Sequence, residues 1–252
     1  MRYNVTMNVN SILKSKRAKY IGLGLLIVIL LFLVHKQEAS NLSLVVHSSQ
    51  EGNTLYDISI EYPQFSGVKK DFNKRIQVTV EESLQKFKDE VQEVEAGKKS
   101  EEGKNGAAYT FTTSWSPEQL SPRMISFVLH TVYFTGGAHG GHDIYTFNYD
   151  GKIKKEITLD AIFNSVPNYL NRISDFVAND LKDQLNVSSE GERFDESVLV
   201  SGTAPLAKNF TRFTLGTDSI TFHFPEYQVA PYAAGEQKVT MPLSYIIPSE
   251  QQ

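Results

Sequence analysis

From residue 42 onward the chain switches between two hydrophobic periods, one of about two residues and one of three to four. Leu42 to His47 and Leu55 to Tyr62 read as strands. In the second, Leu55, Asp57 and Ser59 fall on one face and Tyr56, Ile58 and Ile60 on the other, until Pro63 and Gly67 close it. Val68, Phe72, Ile76, Val80, Leu84, Phe87, Val91 and Val94 then recur at spacings of four and three, which predicts one long amphipathic helix. It ends at Ala96-Gly97, before a charged Gly/Lys/Glu/Ser loop reaching Gly106.

Ala107 to Ser116, Met124 to Thr135 and His142 to Tyr149 predict three more strands, and Asp150-Gly151 a turn into a strand over Lys152 to Thr158. Leu159 to Phe163 reads as a short helical turn. Leu170, Ile173, Val177, Leu181 and Leu185 share one face of a second helix. A polar loop from Asn186 to Ser197 leads to strands over Phe210 to Leu215, Ser219 to Phe224 and Gln237 to Met241. Strands frame one long helix twice, so the expected class is α+β, with antiparallel sheets each covered by a long helix.

The apolar run Tyr20 to Val34 stands apart from this pattern. Arg2, Lys14, Lys16, Arg17 and Lys19 precede it without one acidic residue, which keeps that flank in the cytoplasm and sends the rest outward. Fifteen residues make roughly 22 Å of helix, short of a hydrocarbon core of roughly 30 Å, and the core of a cleavable signal peptide is of similar length. Small residues at the cleavage positions are poorly supplied by His35-Lys36-Gln37-Glu38-Ala39-Ser40. Ala18, Lys19 and His35 can lengthen the span, so an uncleaved signal anchor over residues 20–35 is the reading, behind a basic cytoplasmic tail of residues 1–19. A single-pass membrane protein with an extracytoplasmic domain follows.

That outer part carries 20 basic against 29 acidic residues, a net charge of −9, and no dominant basic patch. Nucleic acid is therefore not an expected partner. Cysteine is absent, which excludes a thiolate nucleophile, a thiolate metal site and disulfide support; the 40% hydrophobic content must hold the fold by its core.

Two segments are less generic than the rest: Tyr133-Phe134-Thr135-Gly136-Gly137-Ala138-His139-Gly140, and Phe224-Pro225-Glu226-Tyr227-Gln228-Val229-Ala230-Pro231-Tyr232-Ala233-Ala234-Gly235. Between them lie Asn148-Tyr149-Asp150-Gly151-Lys152 and Ile157 to Phe163, and before them Tyr62 to Gly67 and Phe72 to Ile76. In this order they resemble a bacterial extracellular module found in RsiV-type lysozyme-sensing anti-sigma factors and with PdaC-type polysaccharide deacetylases, a domain of unknown function in many other proteins. The resemblance covers about residues 42–247. It implies a PdaC-like N-terminal α+β half over 42–140, an RsiV-like C-terminal α+β half over 141–247, and a place at the cell envelope. A sigma factor is not expected as partner, because about 20 residues before the apolar run offer too little surface to bury one.

Tyr227, Pro231 and Tyr232 make an aromatic, proline-rich lip, and the loop holding Gly136, Gly137 and His139 is its expected neighbour, the two forming one ligand-binding rim. The competing assignment is that Pro231 and Tyr232 pin the C-terminal strands together. His139, His142 and Asp143 have the look of three zinc ligands, but strand alternation turns His142 and Asp143 to opposite faces, so no metal is assigned there. His130 reads as a satisfied or surface histidine, and His223 as exposed or paired with a carboxylate. No Gly-X-Ser-X-Gly elbow surrounds Ser114, Ser116 or Ser121, and no carboxylate pair stands out. No catalytic residue and no cofactor is assigned. The expected function is a non-catalytic binding or sensing module for lysozyme or cell-wall glycan; the alternative is an enzyme or accessory domain acting on cell-wall polysaccharide.

Overall fold

The computed structural model describes residues 42–97, 109–185 and 196–247. They form an α+β body with a six-stranded and a three-stranded sheet. The large sheet holds β1 (Leu44–Gly52), β2 (Tyr56–Phe65), β3 (Tyr109–Leu120), β4 (Met124–Phe134), β5 (Gly141–Asp150) and β6 (Lys155–Glu156), in that spatial order. Helix α1 (Lys70–Gly97) connects β2 to β3.

One departure from the expected antiparallel pairing follows from that helix. Its 28 residues span roughly 42 Å, enough to carry the chain back to the end where β2 began. Hence β3 runs parallel to β2, paired from Tyr56↔Tyr109 to Ser59↔Thr112, while every other neighbouring pair is antiparallel.

The apolar stripe of α1 packs on one face of this sheet. Phe72, Ile76 and Val80 meet Phe127, Phe147 and Tyr149, and farther along Phe87 and Val91 meet Ile58 and Phe111. The stripe differs from expectation in its middle. Ser83 is buried there, donating to the Thr79 carbonyl and bonding the Tyr145 hydroxyl at 3.0 Å, while Leu84 is only half-buried. A serine fits because Tyr145 brings a polar tip to that face.

The division expected between residues 140 and 141 separates β4 from β5, yet these strands pair from Met124↔Asp150 to Tyr133↔Gly141 within one sheet. The strand expected over Lys152 to Thr158 shrinks to Lys155–Glu156. Asp150 Oδ1 accepts from the backbone of Lys152 and Ile153, which winds those residues into a turn. Gly151 is required at its head: a Cβ there would lie 1.9 Å from the Pro122 carbonyl oxygen.

The smaller sheet comprises β7 (Phe213–Leu215), β8 (Ser219–Phe224) and β9 (Gln237–Pro242). It is preceded by α2 (Leu159–Phe163), capped by the Thr158 hydroxyl, then α3 (Tyr169–Gln184) and α4 (Glu196–Thr203). The last is absent from the sequence reading, where a loop ran to Ser197. The strand expected from Phe210 begins at Phe213, since Ala207–Phe210 form a 3-10 turn. Ile173, Val177 and Leu181 of α3 join Phe222, Phe224 and Met241 in the second core.

A polar seam joins the two sheets. Ser126 Oγ donates to Asn148 Oδ1, Asn148 Nδ2 to the Phe213 carbonyl, and the Leu215 backbone N–H to Ser126 Oγ, each at 2.7 Å. Alternation along β4 and β5 makes this possible, because Ser126 and Asn148 point away from the face that α1 covers. The Tyr20 to Val34 run lies outside the described residues; no helix among the described residues is long and apolar enough to cross a membrane.

Candidate functional site

The same parity that places Ser126 and Asn148 at the seam places His130 and His142 farther along that face. His130 stands opposite Ile144 and His142 opposite Val132, so the two imidazoles are diagonal neighbours across β4 and β5. Their rings stack with centroids 5.1 Å apart, and His130 Nδ1 lies 2.9 Å from His142 Nε2.

The small sheet brings the acids. Glu226, just past β8, accepts from His142 Nδ1 at 3.0 Å. A carboxylate oxygen accepts, so the His142 proton sits on Nδ1 and its Nε2 presents a lone pair to His130. Glu236, just before β9, holds Oε2 3.8 Å from His130 Nδ1. Its other oxygen accepts from His223 Nδ1 at 2.9 Å and lies 3.5 Å from Lys238 Nζ. Of the two readings for His223, exposure or a carboxylate partner, the second holds: it is buried, its Nε2 bonds the Thr214 hydroxyl at 3.1 Å, and the carboxylate is that of Glu236.

Burial, opposed by Glu236 and reinforced by His142, lowers the pKa of His130 and favours its neutral form. For Glu236 burial acts upward. The His223 hydrogen bond, with Lys238 and His130, outweighs it and holds the carboxyl below its ordinary range. His130, His142 and Glu236 keep 17, 18 and 13% of their side-chain surface accessible, so the cluster is shielded yet reachable.

The lip and the glycine-rich loop meet beside this cluster. Tyr232 stacks on His139, centroids 4.1 Å apart, and its hydroxyl donates to the Gly140 carbonyl at 3.3 Å. Tyr227 leans on Tyr232 at 5.8 Å and is 62% exposed. Its φ of +68° is uncommon outside glycine, and the turn is closed by its own N–H to the Ala230 carbonyl. Pro231, with φ −66°, opens the 3-10 turn Tyr232–Ala234.

Gly136 and Gly137 have a different part: at φ of +97° and +95° they reverse the chain between β4 and β5. A side chain on Gly136 would point at Tyr109 and Val94, toward α1 and away from Tyr232. Asp143 likewise turns to the α1 face, where it neighbours Lys86 and Tyr133, so it does not converge with His139 and His142. Sequence reasoning passed over Glu226 and Glu236, one inside the second motif and one just after it, and dismissed His130. Folding the β4–β5 hairpin about its glycines was the available signal, because it brings positions 130 and 142 to one face.

A separate cavity of about 290 Å³ lies between Arg75, Asn148, Glu156, Asp160, Tyr169 and Phe210. Burial first, then the hydrogen bond to Asp160 and its charge, push the Tyr169 hydroxyl up to about 12.

Residues 49–142 match the family described as Deacetylase PdaC, and residues 160–244 the one described as Protein of unknown function (DUF3298). Peptidoglycan-N-acetylmuramic acid deacetylase PdaC of Bacillus subtilis (strain 168) is 26% identical over 196 residues, 78% of this chain. The chain spans about two-fifths of that deacetylase, 39% of its length. Among solved structures, a DUF3298 family member from Bacteroides fragilis has the same fold, with a TM-score of 0.60, 16% identity and coverage of 83% of this chain and 94% of that one. A DUF3298 family protein from Pseudomonas aeruginosa aligns over the same shares at 14% identity and a TM-score of 0.48. The PdaC match ends at His142 and the DUF3298 match holds both glutamates, so the histidine cluster draws on both matched segments.

Proposed function

We propose that this chain is a cell-wall polysaccharide-associated accessory module of the bacterial envelope, which binds glycan at the Tyr227–Tyr232–His139 rim without itself catalysing a reaction. The carrying observation is that rim: an exposed tyrosine beside a tyrosine–histidine stack, on a chain whose two segments match the PdaC and DUF3298 families. Flat aromatic rings offer rigid apolar area with polar edges, which suits the alternating C–H and hydroxyl surface of a sugar. The relative's name supplies the substrate class, cell-wall peptidoglycan; its deacetylase activity is that protein's own. In this reading the Tyr20 to Val34 run holds the module on the outer side of the membrane.

The test is co-sedimentation of the purified full chain with peptidoglycan sacculi. Retention on sacculi, reduced about tenfold or more by Tyr227→Ala, is the expected result. A chain that stays in solution with sacculi but captures lysozyme would replace glycan by protein recognition at the same rim. Acetate release from peptidoglycan by the chain alone would make it an enzyme.

A further inference from the structure

We propose that His130, His142 and Glu236 form a binding site for a divalent transition-metal ion of the zinc class, with Glu226 as the residue that positions His142.

Three observations carry this. First, the ligands converge: one ligand atom from each of His130, His142 and Glu236 lies within 4.8 Å of the other two. Tetrahedral zinc, with ligands at roughly 2.0–2.1 Å, places neighbouring ligand atoms roughly 3.3–3.4 Å apart. The separations of 2.9 Å between the imidazoles and 3.8 Å from His130 to Glu236 bracket that value, so small side-chain shifts complete the geometry. Second, the ligands are held by outer partners in the manner of metal sites. Glu226 fixes the His142 tautomer with Nε2 turned inward, the carboxylate–histidine arrangement that raises ligand basicity. His223, itself held by Thr214, takes the far oxygen of Glu236 and leaves Oε2 facing His130. Third, the donor set is selective. Two imidazoles and one carboxylate suit zinc and its neighbours, whereas magnesium and calcium want oxygen ligands.

Without an ion, the same atoms form a plain hydrogen bond from His130 Nδ1–H to His142 Nε2. The ion replaces that proton, with His130 remaining neutral as its Nε2 tautomer. Three protein ligands leave a fourth tetrahedral position for water or a ligand oxygen, as in open zinc sites. Lys238 Nζ lies 3.5 Å from the Glu236 oxygen that the ion does not use. The site adjoins the aromatic rim through its own backbone: Glu226 precedes Tyr227, and Glu236 follows Gly235.

The experiment uses the full chain without a histidine tag, stripped by chelator and titrated calorimetrically with Zn²⁺, with Mg²⁺ as control. One Zn²⁺ per chain, no Mg²⁺ binding, and visible absorption bands of a tetrahedral ion on Co²⁺ substitution are expected. Glu236→Gln, nearly isosteric, should weaken Zn²⁺ binding about 100-fold, and Glu226→Gln roughly 10–100-fold. A Zn²⁺ isotherm no tighter than that for Mg²⁺ would overturn the proposal. So would Zn²⁺ binding equally tight in the Glu236→Gln and Glu226→Gln chains, since two glutamates with different roles are tested and circular dichroism verifies the fold of each. Sacculus binding in the presence of chelator reads the glycan proposal independently of the metal.

Discussion

Tyr232 and His139 are stacked with ring centroids 4.1 Å apart, and both reach the same acceptor, the Gly140 carbonyl, at 3.3 and 2.9 Å. This contact ties the 3-10 turn before β9 to the glycine-rich turn before β5. Tyr232 is therefore a structural pin as well as part of the rim, whereas Tyr227 is mostly exposed.

The two tyrosines should separate in a thermal melt. Tyr232→Ala loses the ring stack and the hydrogen bond and should cost about 1–2 kcal/mol. Tyr227→Ala should leave the stability within about 0.5 kcal/mol of wild type, because a mostly exposed side chain contributes little. Binding lost in the second variant with stability kept would place the ligand on Tyr227; stability lost in the first with sacculus binding unchanged would make Tyr232 a pin alone.

Asn148 is the centre of the seam, accepting a hydrogen bond from Ser126 and donating one to the Phe213 carbonyl. Asn148→Ala leaves a buried hydroxyl and a buried carbonyl without this partner, and each such loss costs about 1–3 kcal/mol. Urea unfolding should therefore shift by about 2–4 kcal/mol. A shift below about 1 kcal/mol would show that the sheets do not depend on this bond.

Among the described residues, the hydroxyl of Thr131 is the buried side-chain polar atom without a hydrogen-bond partner. Thr131→Val keeps the shape and removes the desolvated hydroxyl, so stability should rise by up to about 1 kcal/mol. Differential scanning calorimetry checks the sign.

Gly202 touches the rim segment from behind. A Cβ there would lie 1.9 Å from the Gln228 carbonyl oxygen. Gly202→Ala should destabilise the chain by about 1–3 kcal/mol through overpacking and displace the Tyr227 turn. Weaker sacculus retention with a retained far-ultraviolet spectrum is the expected outcome; unchanged retention would separate α4 from the rim.

Much of this molecule is legible from local pattern. The stripe from Phe72 to Val91, the alternation of β4 and β5, the turn at Asp150-Gly151 and the helix carrying Ile173, Val177 and Leu181 follow from periods set by backbone geometry. The two unusual motifs could be identified because proline, glycine and clustered tyrosines constrain the chain wherever they occur. The parallel pairing of β2 with β3 was not legible, because strand direction depends on where α1 delivers the chain. Neither was the fate of His130: a lone histidine in a strand has no local signature. Only folding sets it 2.9 Å from His142 across a hairpin, and sets His142 against a glutamate 84 residues away. Periodicity assigns a residue to a face. Which charged groups from other segments arrive at that face is decided by sheet pairing and by the seam that joins the sheets, and those are tertiary facts.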